Sequence, residues 1–279
     1  MERISNLVSV IIPCYNHGKF IHDAIDSILK QTYQNLEIIV VDDGSDDGNT
    51  ETILNKINLP KTKVYRKVNG GPASARNFGI QKSSGQYILT LDADDRFHPS
   101  FLEKAVQILE HSDRIGMVTS YITRIYKNSE EKVELTGGDV SSFITKHEAS
   151  ASLLYRYRCW EDADGYDENI PGFEDWDFAL SVTKKEWTVY SIPEYLFFYR
   201  DIEYSQYNRD LPLRPKIMSY LTKKHESVFK EHLAEIVYAN EMLIQEHSSR
   251  ASKYKNSYTQ KLGNAILKPM RVMKNLLMF

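Results

Sequence analysis

Between residues 7 and 120, short β-branched runs alternate with segments of helical periodicity. Leu7-Val8-Ser9-Val10-Ile11-Ile12 is a buried-strand pattern, stopped by Pro13. Phe20, Ala24, Ile25, Ile28 and Leu29 then recur at helical spacing to about Gln31. Glu37 to Val41 predicts a second strand, Thr50 caps a predicted helix through Ile57, and Val64 to Arg66 predicts a short third strand. Pro72 suits the first turn of a helix through Gln81. Tyr87 to Leu91 predicts a fourth strand, Pro99 and Ser100 open a helix through Leu109, and Gly116 to Ser120 is strand-like. This alternation implies a mostly parallel sheet wrapped by helices, because parallel neighbours need a long crossover. In such sheets ligands bind beyond the C-terminal strand ends. Tyr15 follows the first strand, Asp42-Asp43 the second, and Asp92 to Asp95 the fourth.

The last of these clusters is the most demanding. Strand residues alternate faces, so Asp92 and Asp94 are expected to project to one side. Same-side carboxylates without a cation repel each other, so they are either solvated or hold a hard metal ion. A solvated turn is the competing reading, since Asp is a turn residue.

After about Tyr121 the alternation lapses. Thr123 to Tyr126 and Lys132 to Leu135 predict a hairpin around the polar turn Lys127 to Glu131. Thr136 to Ser150 is weakly patterned and reads as a mobile loop. Ala151 to Leu154 is strand-like, a helical turn spans about Arg158 to Ala163, and Gly172 to Asp177 opens a helix whose acidic first turn favours the macrodipole. Trp187 to Ser191 and Leu196 to Arg200 are two strand candidates. Lys216 to Arg250, polar and studded with apolar residues, predicts one or two helices packed on the domain edge or on a partner. Lys261 to Phe279 carries Lys261, Lys268, Arg271 and Lys274 without an acid, among Leu262, Ile266, Leu267, Met270 and Phe279. That is a basic amphipathic segment of the kind that lies in an anionic membrane interface, or docks on the protein's own core.

Composition sets outer bounds. The 279 residues suffice for one large α/β domain with an appendage. The net charge of −3 argues against nucleic acid as a partner. Cys14 and Cys159 are the only cysteines and have no C-x-x-C spacing, so neither a disulfide framework nor structural zinc is expected. No apolar run is long enough to span a bilayer, and no secretory leader pattern is present. The expected setting is cytoplasmic, peripheral on the inner face of the membrane.

Taken together, the blocks resemble family 2 glycosyltransferases of the inverting, GT-A type. Carrying the resemblance are Val8 to Asn16, Ser27 to Tyr33, Glu37 to Ser45, Gly70 to Asn77, Leu91 to Asp95, and Gly165 to Asn169 followed by Gly172 to Asp177. It covers about residues 5 to 200. It implies a GT-A domain over 1–210, with a nucleotide-sugar half at about 5–120 and an acceptor half at 121–210. A helical extension then fills 211–279, possible ground for a homodimer. The implied donor is a nucleotide-diphospho-sugar, UDP-sugar first. The implied acceptor is a glycan or lipid-linked saccharide. By resemblance, Pro13 and Tyr15 flank the base, with Tyr15 stacking on it. Asp43 accepts from a base N–H, Arg76 sits near the base or diphosphate, and Asp92 lies near the ribose. Asp94 coordinates Mn²⁺ or Mg²⁺, and Asp95 supports that arrangement. Asp175 is the expected catalytic base and Glu174 its acceptor-side support; Asp177 is the rival base.

Two departures stand out. Relatives often carry a histidine two residues after the Tyr-Arg pair, here Tyr199-Arg200, where this chain has Ile202. Either Asp201 or Glu203 substitutes, or the site relies on its aspartates. No Gln-x-x-Arg-Trp follows the acidic pair, which favours addition of one or a few sugars over polymer synthesis. His17 lies in the first loop, within potential reach of a nucleotide. His22, His98, His111, His147, His225, His232 and His247 form no ligand spacing and read as surface or satisfied residues. The alternatives are a degenerate transferase that only binds nucleotide-sugar or glycan, and a phosphoryl-transfer enzyme, against which the late position of the Asp cluster argues. No G-x-G-x-x-G follows the first strand, which disfavours a dehydrogenase.

Overall fold

The computed structural model describes residues 3–201 and 211–256. Ile202, Glu203 and the basic segment Lys261 to Phe279 lie outside the described residues. The chain divides into two compact units, Met1–Lys230 and Glu231–Phe279.

The first unit is built on β1 (Ile4–Cys14), whose residues Val8 to Ile12 are fully buried. β2 (Leu36–Asp42), β3 (Thr62–Arg66) and β4 (Gly85–Thr90) complete a parallel sheet in the order β3-β2-β1-β4. Each buried Ile or Val contributes roughly 1.5–3 kcal/mol relative to exposure. The crossovers are α1 (Ile21–Leu29), α2 (Thr50–Leu54) and α3 (Gly71–Lys82). Thr50 is the first residue of α2 rather than its cap, since the Asp47 carboxylate accepts from the Asn49 and Thr50 N–H groups. α3 lies directly on the sheet: a Cβ on Gly79 would stand 2.5 Å from Ile11 Cγ2, so only glycine fits.

The second half of the sheet is mixed. It comprises β5 (Arg96–Phe97), β6 (Ile115–Ile125), β7 (Glu130–Val133), β8 (Gly137–Gly138), β9 (Leu154–Arg156) and β10 (Thr188–Arg200). β9 runs antiparallel between β4 and β6, while β10 is parallel to β6. α4 (Phe101–His111), α5 (Val140–Phe143), α6 (Tyr157–Asp162) and α7 (Glu174–Thr183) lie between these strands in the chain.

Four sequence expectations change here. Gly116 to Ser120 and Thr123 to Ile125 belong to one strand, β6, because Tyr121 and Ile122 keep pairing with β10, and Tyr126 lies just past its end. The two strand candidates Trp187 to Ser191 and Leu196 to Arg200 likewise merge into one strand, β10, which begins at Thr188. Its register slips around Pro193-Glu194, where proline has no N–H for the ladder. The hairpin turn is shorter than expected, with β7 beginning at Glu130. Thr136 to Ser150 is not a loose loop: it contains β8 and α5, and Phe143, Ile144, Ala149 and Ser150 are buried.

Beyond Arg200 the described chain resumes with a 3₁₀ turn (Leu211–Leu213), α8 (Arg214–Lys224) and α9 (Glu226–Glu231). The second unit contributes α10 (Leu233–Asn256), on which Leu233, Val237, Met242, Leu243 and Ile244 are exposed. Among the described residues no helix is long and apolar enough to cross a membrane.

Candidate active site

β4 ends at Thr90, so Asp92 to Asp95 form a turn and not a strand. The Asp95 N–H donates to the Asp92 carbonyl at 3.0 Å. This corrects the same-side reading, because in a turn the three carboxylates diverge. Asp95 is buried and accepts from the Arg200 N–H at 2.8 Å. Burial, with the charges of Asp94 and Asp92, pushes its carboxyl well above the ordinary range. Arg200 also donates through Nε to the Asp94 carbonyl and through Nη2 to Asp23, tying the end of β10 to the turn.

Asp94 points the other way. Among the described residues its carboxylate meets one polar side chain, the His17 imidazole, with Nδ1 at 3.6 Å. The Asp94 carboxylate pushes the His17 pKa up, against the opposing effect of burial. This contact joins the loop after β1 to the loop after β4.

Asp92 turns toward α3. Arg76 Nη2 donates to Asp92 Oδ1 at 2.8 Å, and Nη1 donates to Glu174 Oε1 at 2.5 Å. Arg76 is only 2% exposed. Burial opposes its charge, but Asp92 and Glu174 outweigh burial and raise its pKa well above the ordinary value. Burial in turn pushes the Glu174 carboxyl up, with Arg76 opposing the rise. One guanidinium therefore holds the turn after β4 and the start of α7 together.

The start of α7 is strained. Phe173, its N-cap, has φ 54°, a left-handed conformation costly for an aromatic residue. The bend sets Glu174 inward toward Arg76 and leaves Asp175 more open, its side chain 20% exposed. Asp175 Oδ1 accepts from the Trp176 N–H at 2.9 Å. Its Oδ2 faces His147 Nδ1 at 3.5 Å. Gly165 (φ +79°) makes the preceding turn, where Asn77 Oδ1 accepts from the Tyr166 N–H and the Trp160 indole.

Asp177 sits elsewhere. It is 1% exposed, with His225 Nε2 at 2.8 Å and Lys224 Nζ at 2.7 Å. Lys224 also reaches Asp167 at 2.7 Å, and Tyr220 donates to the same carboxylate oxygen. Asp177 is thus sealed beneath α8.

In the loop after β1, Tyr15 is 39% exposed and donates to Asp46. Pro13 is half-buried and pairs in register with Val41. Asp42 serves the turn after β2, accepting from the Ser45 N–H and from Arg66. Asp43 accepts from Lys67 Nζ at 2.8 Å and from the Gly70 and Gly71 N–H groups at the start of α3. That leaves roughly one lone-pair direction of its carboxylate for a ligand.

Sequence reasoning missed His147, Lys224 and His225, all chemically committed here. No spacing could have found them, since they reach α7 from distant segments.

Asp92 and Glu174 share the single guanidinium of Arg76, and Asp94 faces only His17 among the described side chains, leaving an excess of negative charge. A diphosphate would add more, so a cation fits the electrostatics. No cluster of three or more metal-ligating side chains occurs among the described residues. The donor set fits an ion held by one or two protein groups, with phosphates and water completing its shell. Asp94, least engaged of the turn carboxylates, fits that part.

The profile of Glycosyl transferase family 2 matches residues 9–170. The chain belongs to this family of glycosyltransferases, and its fold is of the GT-A type. An uncharacterized glycosyltransferase of Rickettsia bellii is 32% identical over 188 residues, 63% of this chain and 27% of that protein. The match thus spans about a quarter of that relative's length. Among solved structures, S. aureus TarS in complex with UDP-GlcNAc aligns with TM-score 0.61 and 21% identity, covering 72% of this chain and 60% of that one. The mannosyltransferase PcManGT from Pyrobaculum calidifontis, in complex with GDP-Man and Mn²⁺, aligns with TM-score 0.64 and 18% identity, covering 96% and 83%. At these identities the two structures bear on the fold.

Proposed function

We propose that this chain moves one sugar, or a few, from a nucleotide-diphospho-sugar to an acceptor hydroxyl with inversion at the anomeric carbon. The observation that carries the reading is Arg76, which joins the turn carboxylate Asp92 to the acidic start of α7. Leaving-group contacts and an acceptor base then sit on opposite sides of one buried cation. Tyr15 and Pro13 flank the base, Asp43 offers its remaining lone pair to a base N–H, and Asp92 contacts the ribose. Asp94, backed by the Asp95 turn, would hold Mn²⁺ or Mg²⁺. Such an ion would stabilise the charge that develops on the departing diphosphate.

Asp175 is the base, and Asp177 is set aside because it is sealed by Lys224 and His225. The acceptor oxygen bonds to the anomeric carbon as that carbon's bond to the diphosphate oxygen breaks. The electron pair leaves with the nucleoside diphosphate, and the acceptor proton passes to Asp175 Oδ2. Attack opposite the leaving group inverts the configuration. UDP-sugar is the first donor class, a reading helped by the UDP-GlcNAc held by TarS. The basic amphipathic sequence of Lys261 to Phe279 supports a peripheral membrane enzyme acting on a lipid-linked or envelope glycan.

The test is a panel of UDP-, GDP- and dTDP-sugars screened by calorimetry and turnover, with and without Mn²⁺. We expect metal-dependent binding of one class and turnover that Asp175→Asn lowers by about 10³-fold while binding persists. Failure of every nucleotide sugar to bind would sink the proposal. Binding without turnover in the unaltered protein would leave the binding-module reading instead.

A further inference from the structure

We infer that His147 is a positioning residue for Asp175: its Nδ1–H holds the base carboxylate in the orientation that accepts the acceptor's proton. This rests on the assignment of Asp175 as the base.

The geometry begins with where His147 stands. It follows α5, in the segment between β8 and β9. That segment is fastened to α7 by the Trp176 indole N–H, which donates to the Phe143 carbonyl at 2.6 Å. The imidazole stacks on the Trp176 ring, with centroids 6.0 Å apart and planes 10° apart. Trp176 immediately follows Asp175, so one residue fixes both the histidine ring and, through its backbone N–H, Asp175 Oδ1. What remains of the Asp175 carboxylate is Oδ2, and His147 Nδ1 faces it at 3.5 Å.

The tautomer follows from the surroundings. His147 Nε2 is buried and has no hydrogen-bond partner. Burial pulls the imidazole pKa down, with Asp175 and Glu148 only partly opposing. The ring is therefore neutral and carries one proton. Placing that proton on Nε2 would orphan a buried donor and set the Nδ1 lone pair against a carboxylate oxygen. Placing it on Nδ1 satisfies the donor and stabilises the charged base. A separation of 3.5 Å is long for a hydrogen bond, and catalytic contacts of this kind tighten when substrate closes the site.

Other charges near Asp175 do not supply this. Glu174 is engaged by Arg76, and Glu148 by Lys146 at 2.7 Å. Tyr166 is a buried phenol whose pKa burial raises to about 12, so it stays neutral. Arg214 lies over the Trp176 ring at 5.2 Å, on the indole and not on the carboxylate.

The test compares His147→Phe, which keeps a ring on Trp176 but has no donor, with His147→Asn, whose amide N–H takes the place of Nδ1–H. In His147→Phe we expect kcat to fall about 10–100-fold, the range for a hydrogen bond to a charged group. The acidic limb of the kcat/KM profile moves to higher pH, while KM for the nucleotide sugar and the Tm stay near those of the unaltered protein. His147→Asn restores most of kcat and the position of the limb. An unchanged profile in His147→Phe, or a loss in His147→Asn as deep as in His147→Phe, overturns the inference. Asp175→Asn is measured alongside. If that variant turns over normally, the base assignment itself has failed. If it is inactive while His147→Phe is unaffected, only the role of His147 is lost.

Discussion

The two acidic ends of the site are built on opposite plans. The turn after β4 leaves Asp94 almost unengaged, facing His17 alone among the described side chains. At the start of α7 every carboxylate already has partners: Glu174 has Arg76, Asp175 the Trp176 N–H and a facing His147, and Asp177 Lys224 and His225. A carboxylate meant to receive a hard ion must keep its lone pairs free, and the ion's charge compensates the repulsion. One meant to accept a proton must hold its orientation without any incoming ion. The difference teaches that carboxylate density alone says little; what separates the roles is how many donors each oxygen already has.

Three perturbations bear on this contrast. The largest effect is expected from Arg76→Met, which strips the shared cation from both ends at once. It leaves Asp92 and Glu174 without their buried partner, at about 3–5 kcal/mol in unfolding free energy. A denaturant titration that moves by much less would mean the two ends are held independently.

Asp94→Asn should strike the open end only. We expect metal-dependent nucleotide binding to weaken about 10–100-fold, with the unfolding midpoint shifted by no more than about 0.5 kcal/mol. Calorimetry with Mn²⁺ and without it checks the first figure, and thermal unfolding the second. A large stability loss would show that Asp94 is structural and the contrast false.

The smallest effect concerns the closed end. Burial works against the charged form of Asp167, but Lys224, the Asn169 N–H and the Tyr220 hydroxyl outweigh it and hold the pKa down at about 2. The folded value lies below the ordinary 3.8. Its stabilisation is therefore present above about pH 4 and lost as pH falls toward 2. We expect about 1–2 kcal/mol of unfolding free energy to disappear across that window, after allowance for screening, and Asp167→Asn to lack that share of the pH dependence. Parallel acid profiles for the two proteins would dissolve the network's electrostatic role.

The two ends also differ in how far the sequence disclosed them. Asp92 to Asp95 follow a strongly patterned strand, and the parallel half of the sheet was readable from its β-branched runs and helical spacing. The carboxylates of α7 were readable too, as a short acidic block. Their partners were not. His147 lies in a stretch with neither period 2 nor period 3.6, and what fastens that stretch to α7 is the distant Trp176 indole on the Phe143 carbonyl. Lys224 and His225 stand 47 and 48 residues from Asp177, with no local signal of that contact. The antiparallel strand β9 was missed in part because three residues are too few for alternation to register. The divergence of the Asp92 to Asp95 carboxylates depends on where β4 stops, and the apolar residue Leu91 disguised that point.

The seal on Asp177 bears on where this protein can be cut. The family match ends at residue 170, and the last strand of the sheet at Arg200. Both look like natural borders for a minimal expressed fragment. Yet the cation and the imidazole that cover Asp177 come from beyond either one, at Lys224 and His225. A fragment stopped at Arg200 would retain every recognisable block and expose, on α7, a carboxylate that is 1% exposed in the longer chain. A fragment that keeps the cover on Asp177 therefore runs past the recognisable motifs, through His225.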